Sequence, residues 1–391
     1  MNIKEIDNTY IAHTYGRFPV HLVTGKGSVA CDENGKEYID LGTGIGVNLF
    51  GYCDETWQQA VKEQLGYIQH TSNLYYTGPC ANLAKLLCEK TGMKKVFFCN
   101  SGAEANECAI KAARRYGQLH KGEGNYYIVT LENSFHGRTL TTLAATGQDH
   151  FHELFQPLTP GFVHAKPDDA DSVRKLVEEY PCCAIMIECV QGEGGVHALK
   201  QEFIDEIKKI AQGHELLVIC DEVQTGNGRT GALYSCMHYG LQPDIMTTAK
   251  GIGGGLPIGI TMLGNKVQDI FKPGDNGSTF GGNPIACAGA LANLKRLDDE
   301  LMESVKAKSD HARARLMACE EVESLDGLGM MIGIKPKKAK NSDIAMKCLE
   351  KGVLVLTAGN NMVRLLPALN IDEKTLDKGI SILIETLREE A

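Results

Sequence analysis

No C-x-x-C pair occurs among the fourteen cysteines of this 391-residue chain, and no cysteine–histidine group has zinc-ligand spacing. Zinc ribbons and dithiol redox motifs are therefore excluded, and no metal is expected. Several thiols sit inside apolar runs, as Cys183 and Cys220 do, and read as small buried hydrophobes kept reduced in a cytoplasmic protein. No apolar stretch is long enough to cross a bilayer, and the opening M-N-I-K-E-I-D-N lacks the apolar core of a secretory signal. Positive charge is also short: 40 Lys and Arg stand against 49 Asp and Glu, a formal net charge of −9. That balance argues against nucleic acid or an anionic membrane as the main partner. Repeats and low-complexity tracts are missing as well.

What the chain does have is apolar material for a sizeable core, 43% of residues, and 43 glycines gathered between apolar runs. Its length suits two or three lobes. Residues 1–50 read as an entry segment: strands at Val20–Val23 and Ser28–Cys31, a turn at Glu33–Lys36, and a continuation at Tyr38–Leu41. From about 55 helices and strands alternate. Helical period covers Glu55–Leu65 and Pro79–Thr91, and a third helix runs from Ala103 through Tyr116. Short apolar runs at Lys94–Cys99, Tyr126–Thr130, Cys183–Glu188, Leu216–Asp221 and Ile245–Thr248 predict a mainly parallel sheet covered on both faces. Past 283 the texture changes to a long helical stretch, Pro284–Cys319. Shorter strands follow at Met330–Ile334, Val353–Leu356 and Val363–Leu366, then a last helix at Glu373–Glu390. The expected division is 1–50 with the small lobe, 51–283 as the large domain, and 284–391 as the C-terminal small domain.

Ligands of such sheets bind beyond the carboxyl ends of the strands, and the residues there bear chemistry. Lys250 ends the run Ile245–Thr248 and enters a glycine-rich turn; a desolvated amine there is a good nucleophile toward a carbonyl. Asp221 ends another buried strand and needs a cationic or hydrogen-bonding partner. Ser101, Gly102 and Ala103 open a helix whose free N–H groups can seat a phosphate. Phe135 can stack on a planar ring, and Arg138 can clamp a carboxylate. Glu193 lies among glycines where it can swing between partners. The hydroxyls of Ser278 and Thr279 can bind phosphate oxygens. Each has a plainer structural reading: Ser101 or Asp221 as a helix cap, Arg138 as a surface arginine, Glu193 as a solvated loop acid. Taken together, amine, acid, aromatic plate, phosphate seat and carboxylate clamp match the needs of pyridoxal 5′-phosphate. The Asp221–Lys250 gap of 250 − 221 = 29 residues leaves room for a helix and a strand.

The stretches T-Y-G-R-F-P-V (14–20), N-S-G-A-E-A-N-E (100–107), S-F-H-G-R-T (134–139), Q-G-E-G-G-V (191–196), D-E-V-Q-T-G (221–226), A-K-G-I-G-G-G-L-P-I-G (249–259) and G-S-T-F-G-G-N-P (277–284) run in order along the chain. In them the chain resembles class III (subgroup II) pyridoxal-phosphate aminotransferases of fold type I, and most closely the acetylornithine branch. The resemblance implies an α/β fold with a mainly parallel seven-stranded sheet sandwiched by helices and a smaller α+β lobe. It implies that Lys250 joins the cofactor aldehyde and later moves a proton, while Asp221 pairs with the ring nitrogen. Phe135, Val223 and Gln224 would flank the ring. Ser101, Gly102 and Ala103 would hold the phosphate, with Thr279 reaching the neighbouring subunit's cofactor in a homodimer. Arg138, Ser278 and Arg364 would bind substrate, with Glu193 as a gate over Arg364. The implied partners are an amino donor and 2-oxoglutarate. Cys189 departs from a frequent proline, and Gly51-Tyr52-Cys53-Asp54 from a G-H-x-x pattern. Gly44 stands where ornithine enzymes carry a tyrosine, which leaves room for an acylated amine. Related ω-aminotransferases acting on succinylornithine, N-succinyl-diaminopimelate, ornithine or 4-aminobutyrate are the alternatives, then a non-catalytic cofactor binder.

Overall fold

A computed structural model describes residues 1–391. Its centre is a seven-stranded sheet: β1 (Lys95–Cys99), β2 (Tyr127–Leu131), β3 (Phe162–Ala165), β4 (Cys182–Ile187), β5 (Leu217–Asp221), β6 (Ile245–Thr248) and β7 (Gly259–Leu263). The spatial order is β1-β7-β6-β5-β4-β2-β3. Only β7 runs against its neighbours β1 and β6; the pairings among β2 to β6 are parallel.

The side-chain period of two sorts each strand between two cores. Ile128, Ala184, Met186, Leu217, Ile219 and Ile245 pack with Ala109, Ile110 and Ala113 of the helix Gly102–His120. Val129, Ile185, Ile187, Val218, Cys220 and Met246 turn to the other face, where Phe203, Ile204 and Ile207 of the helix Gln201–Gly213 cover them. Both faces are dry, which is why these strands read as unbroken apolar runs rather than alternating ones. Neither β7 nor β3 stands out as an apolar run in the amino-acid pattern. The first hides behind glycines and the second is a four-residue edge strand.

The expected long helix at 284–319 is two helices, Pro284–Lys295 and Asp299–Met317. Apolar period continues through the junction, but the Asp298 carboxylate accepts the Leu301 N–H at 2.9 Å and caps a new start. The first helix packs on Glu55–Leu65 and Gly78–Thr91, the second on Glu373–Glu389. The expected strand Val353–Leu356 also divides. Val353–Leu354 joins the N-terminal sheet parallel to Glu37–Asp40, while Leu356–Ala358 pairs with Met362–Leu365 in a separate sheet. The entry strands are Leu22–Lys26, Val29–Asp32 and Glu37–Asp40. The turn between the last two is held by Asp32 Oδ1, which accepts from Asn34 and Lys36 N–H.

Candidate active site

The carboxyl ends of β1, β4, β5 and β6 open onto one cavity of about 430 Å³. Lys250, Asp221, Val223, Gln224, Ser101, Gly102, Ala103, Phe135 and Arg138 all line it, so residues more than a hundred positions apart meet there. Asp221 is 4% exposed and ends β5. Its Oδ2 accepts from Asn106 Nδ2 at 2.7 Å and lies 2.8 Å from His136 Nδ1; its Oδ1 accepts the Val223 N–H at 3.0 Å. Asn106 is itself fixed, accepting from Thr247 Oγ1 at 2.7 Å and donating to the His136 carbonyl at 2.8 Å. This carboxylate is aimed and stiff.

Lys250 follows β6 by two residues and adopts φ +48°, a left-handed conformation that an L-residue rarely takes. That turn swings the side chain off the strand direction and into the cavity. Desolvation lowers its amine below the ordinary lysine range; Arg364 acts in the same direction, and Glu193 and Asp221 oppose it. Across the cavity the helix Gly102–His120 starts at Ser101, whose hydroxyl accepts the Glu104 N–H at 3.2 Å. Helix geometry leaves the N–H groups of Gly102 and Ala103 without an acceptor in the helix itself. Gly102 must be bare: a Cβ there would lie 2.7 Å from Val223 Cγ1. Phe135 supplies an aromatic face, and the Arg138 guanidinium sits 5.6 Å from its ring and 4.0 Å from that of Phe151.

Arg364, on Met362–Leu365, is 2% exposed. Its Nη1 donates to Glu193 Oε1 at 2.7 Å and to Gln224 Oε1 at 2.8 Å; its Nη2 donates to Glu193 Oε2 at 3.3 Å. Burial acts to raise the Glu193 carboxyl, but the Arg364 guanidinium prevails and holds it below the usual range. Arg364 and Glu193 lie beside the cavity rather than on its wall, joined to it through Gln224. Ser278 is near the rim, accepting from Asn100 Nδ2 at 3.1 Å. Thr279 is exposed and apart from its own cavity. Gly44 borders a separate apolar cavity with Phe18 and Leu356; Val47 is the residue of that turn on the Lys250 wall.

Three wall or support residues went unnoticed as functional: His136, Asn106 and Glu188. The first two stand inside the motifs that flagged Phe135 and Ser101, and Glu188 closes β4 just as Asp221 closes β5.

A buried acid, a lysine of lowered pKa, a flat aromatic wall and a backbone anion seat kept open at Gly102 together fit pyridoxal 5′-phosphate. Fold and site define a pyridoxal-phosphate-dependent transferase. The model of the family Aminotransferase class-III matches residues 10–387. An acetylornithine aminotransferase of Haemophilus ducreyi is 45% identical over 388 residues, 99% of this chain and 98% of that one. The acetylornithine aminotransferase of Caldanaerobacter subterraneus is 42% identical over 98% of each. Among solved structures, an ornithine aminotransferase from Toxoplasma gondii superposes with TM-score 0.94 at 28% identity, covering 99% of this chain and 94% of that one. An N-acetylornithine aminotransferase from Stenotrophomonas maltophilia does so with TM-score 0.86 at 30% identity over 98% of both. The chain belongs to the class-III aminotransferases, pyridoxal-phosphate enzymes that move amino groups.

Proposed function

We propose that this enzyme transfers the δ-amino group of N2-acetyl-L-ornithine to 2-oxoglutarate. The products are N-acetyl-L-glutamate 5-semialdehyde and L-glutamate, a step of arginine biosynthesis. The observation that carries the reading is the Arg364–Glu193–Gln224 cluster beside the Lys250 cavity. One pocket must take a terminal amine in one half-reaction and an α-amino acid in the other. A guanidinium neutralised by a carboxylate on a glycine-rich loop supports both: capped, it is silent toward the amine donor; uncapped, it binds the α-carboxylate of glutamate. The named relatives support the acetylated donor.

When bound, the cofactor supplies an aldehyde that carries the amino group and a ring that accepts electrons from the substrate carbon. Lys250 Nζ would hold that aldehyde between turnovers and would move the proton at the substrate carbon. Its lowered pKa keeps a neutral, basic fraction available. Asp221, backed by His136 and Asn106, would hold the ring nitrogen protonated. Phe135, Val223 and Gln224, which line the cavity, would hold the ring. Ser101, Gly102 and Ala103 bind the phosphate. Arg138 and Ser278 receive the substrate, Arg138 taking the carboxylate of acetylornithine and the distal one of glutamate.

The active unit is a homodimer in which Thr279 reaches the cofactor phosphate of the second copy. An exposed apolar surface supports this: Tyr67, Leu74, Tyr75, Tyr76 and Phe280 are each more than half exposed. Their segments are tied together by Asn73 Nδ2, which donates to the Ser278 and Gly281 carbonyls. A patch of that kind on a single copy needs a cover. The free cysteines suit a reducing cytoplasm.

The test is a donor panel with purified protein and cofactor. Glutamate should form from acetylornithine and 2-oxoglutarate by ping-pong kinetics. Brisk use of free ornithine or 4-aminobutyrate with none of acetylornithine overturns the substrate.

A further inference from the structure

One acid of the Lys250 wall has no part in the reaction described so far. Glu188 follows β4 directly, is 5% exposed, and borders the cavity. Its hydrogen bonds come from backbone alone. Oε1 accepts the Phe135 N–H at 2.8 Å, and Oε2 accepts the Gly192 N–H at 3.2 Å. Those amides belong to two segments that also touch where Gln191 Nε2 donates to the Glu132 carbonyl at 2.9 Å. Phe135 is the aromatic plate, and Gly192 immediately precedes the gate residue Glu193. Gly192 is confined on its far side too: a Cβ would come 2.4 Å from Gln224 Oε1, the oxygen that accepts from Arg364. The Glu188 carboxyl is thus a strut between the plate and the gate loop. Burial pushes it up to about 7, with His136 acting against the rise and Asp221 adding to it.

We propose that Glu188 is a positioning residue that fixes the Glu193 gate through Gly192, and so sets the preference of the site for glutamate over the terminal-amine donor. The inference rests on the gate reading above. A carboxylate accepts two N–H groups at once, whereas a glutamine in its place turns an NH2 against one of them. The longer bond, to Gly192, is the one that yields. Gly192 then shifts, Glu193 moves with it, and Arg364 is left short of its counter-charge. A dicarboxylate gains from that and an amine donor loses.

The test uses the parent holoenzyme, Glu188→Gln, Glu193→Gln and the double variant. Each half-reaction is followed separately by cofactor absorbance with glutamate alone or acetylornithine alone. Glu188→Gln should raise the glutamate-to-acetylornithine ratio of kcat/KM by about fivefold or more, through KM rather than kcat, and should add nothing in the Glu193→Gln background. A ratio within about twofold of the parent, or an equal fall of kcat in both half-reactions, overturns the proposal. Should Glu188→Gln fail to fold, Glu188→Asp takes its place. Its carboxylate is withdrawn from both amides, and the same two outcomes decide. A parent that uses glutamate but not acetylornithine sinks the substrate reading instead; the ratio is then taken against whichever amine the donor panel finds.

Discussion

Arg364 Nη1 touches two acceptors at once, Glu193 Oε1 at 2.7 Å and Gln224 Oε1 at 2.8 Å, and only the first carries charge. On the proposed gate, Gln224 would keep the guanidinium in place when Glu193 moves away. Replacement of the charge alone separates the two duties. Glu193→Gln should raise KM for acetylornithine by about tenfold and leave glutamate binding equal or tighter, because an uncapped buried guanidinium attracts any carboxylate. Half-reaction kinetics check this; equal effects on both substrates would refute the gate.

Lys250→Ala should lower turnover by several orders of magnitude, roughly the scale for loss of a covalent catalyst. Cofactor retention should persist, since the seat at Gly102 and Ala103 is untouched. Turnover within tenfold of the parent, by about the same reckoning, removes Lys250 from the role.

Gly102→Ala places a methyl 2.7 Å from Val223 Cγ1 at the phosphate seat. Either Val223 or the helix start must move, so the dissociation constant for pyridoxal phosphate should rise about tenfold or more with the fold intact. Titration of cofactor-free protein by fluorescence or absorbance measures it.

Asp221→Asn keeps shape but removes the charge facing His136 and, in the proposed role, the charge meant for the ring nitrogen. The expected result is a normal melting temperature and a fall of kcat by about a hundredfold or more, with KM little changed. Near-parental kcat would show that the ring nitrogen does not depend on this carboxylate.

His164 is half-buried beside Thr130 and His152. Burial first, then the neighbouring histidines His152 and His136, push it down to about 4 from an ordinary 6.5. The unfolded chain therefore takes up this proton at a higher pH than the folded one. The stability it contributes is whole above pH 6.5 and is lost as pH falls toward 4. Melting temperature should decline through that window, and His164→Gln should flatten the decline. An unchanged slope would count against it.

The strands that carry Asp221 and Lys250 were legible because both of their faces are buried, so the chain spells them as apolar runs ended by polar residues. Part of the cavity wall was legible for the same reason: Asp221 ends its strand, and Ser101 and Lys250 sit two positions beyond theirs. Features decided by long-range pairing were not legible. Nothing local in Val353–Leu356 says that its halves join different sheets. The split depends on Ile39 and Asp40 for one half and Arg364 for the other, more than three hundred positions distant in the first case. Glu188 was passed over because a lone acid closing a strand looks like any other until its two amide partners are known.

That split has a mechanical consequence. Leu354 is in register with Asp40, whose Oδ1 accepts the Gly42 and Thr43 N–H groups of the turn leading to Val47. Leu356 is in register with Arg364. A leash of one residue, Val355, therefore couples the anchor of the substrate-side turn to the arginine. If substrate is held by Arg364 as proposed, a shift of that strand would be passed through Leu356 and Val355 to the turn that sets Val47 on the cavity wall.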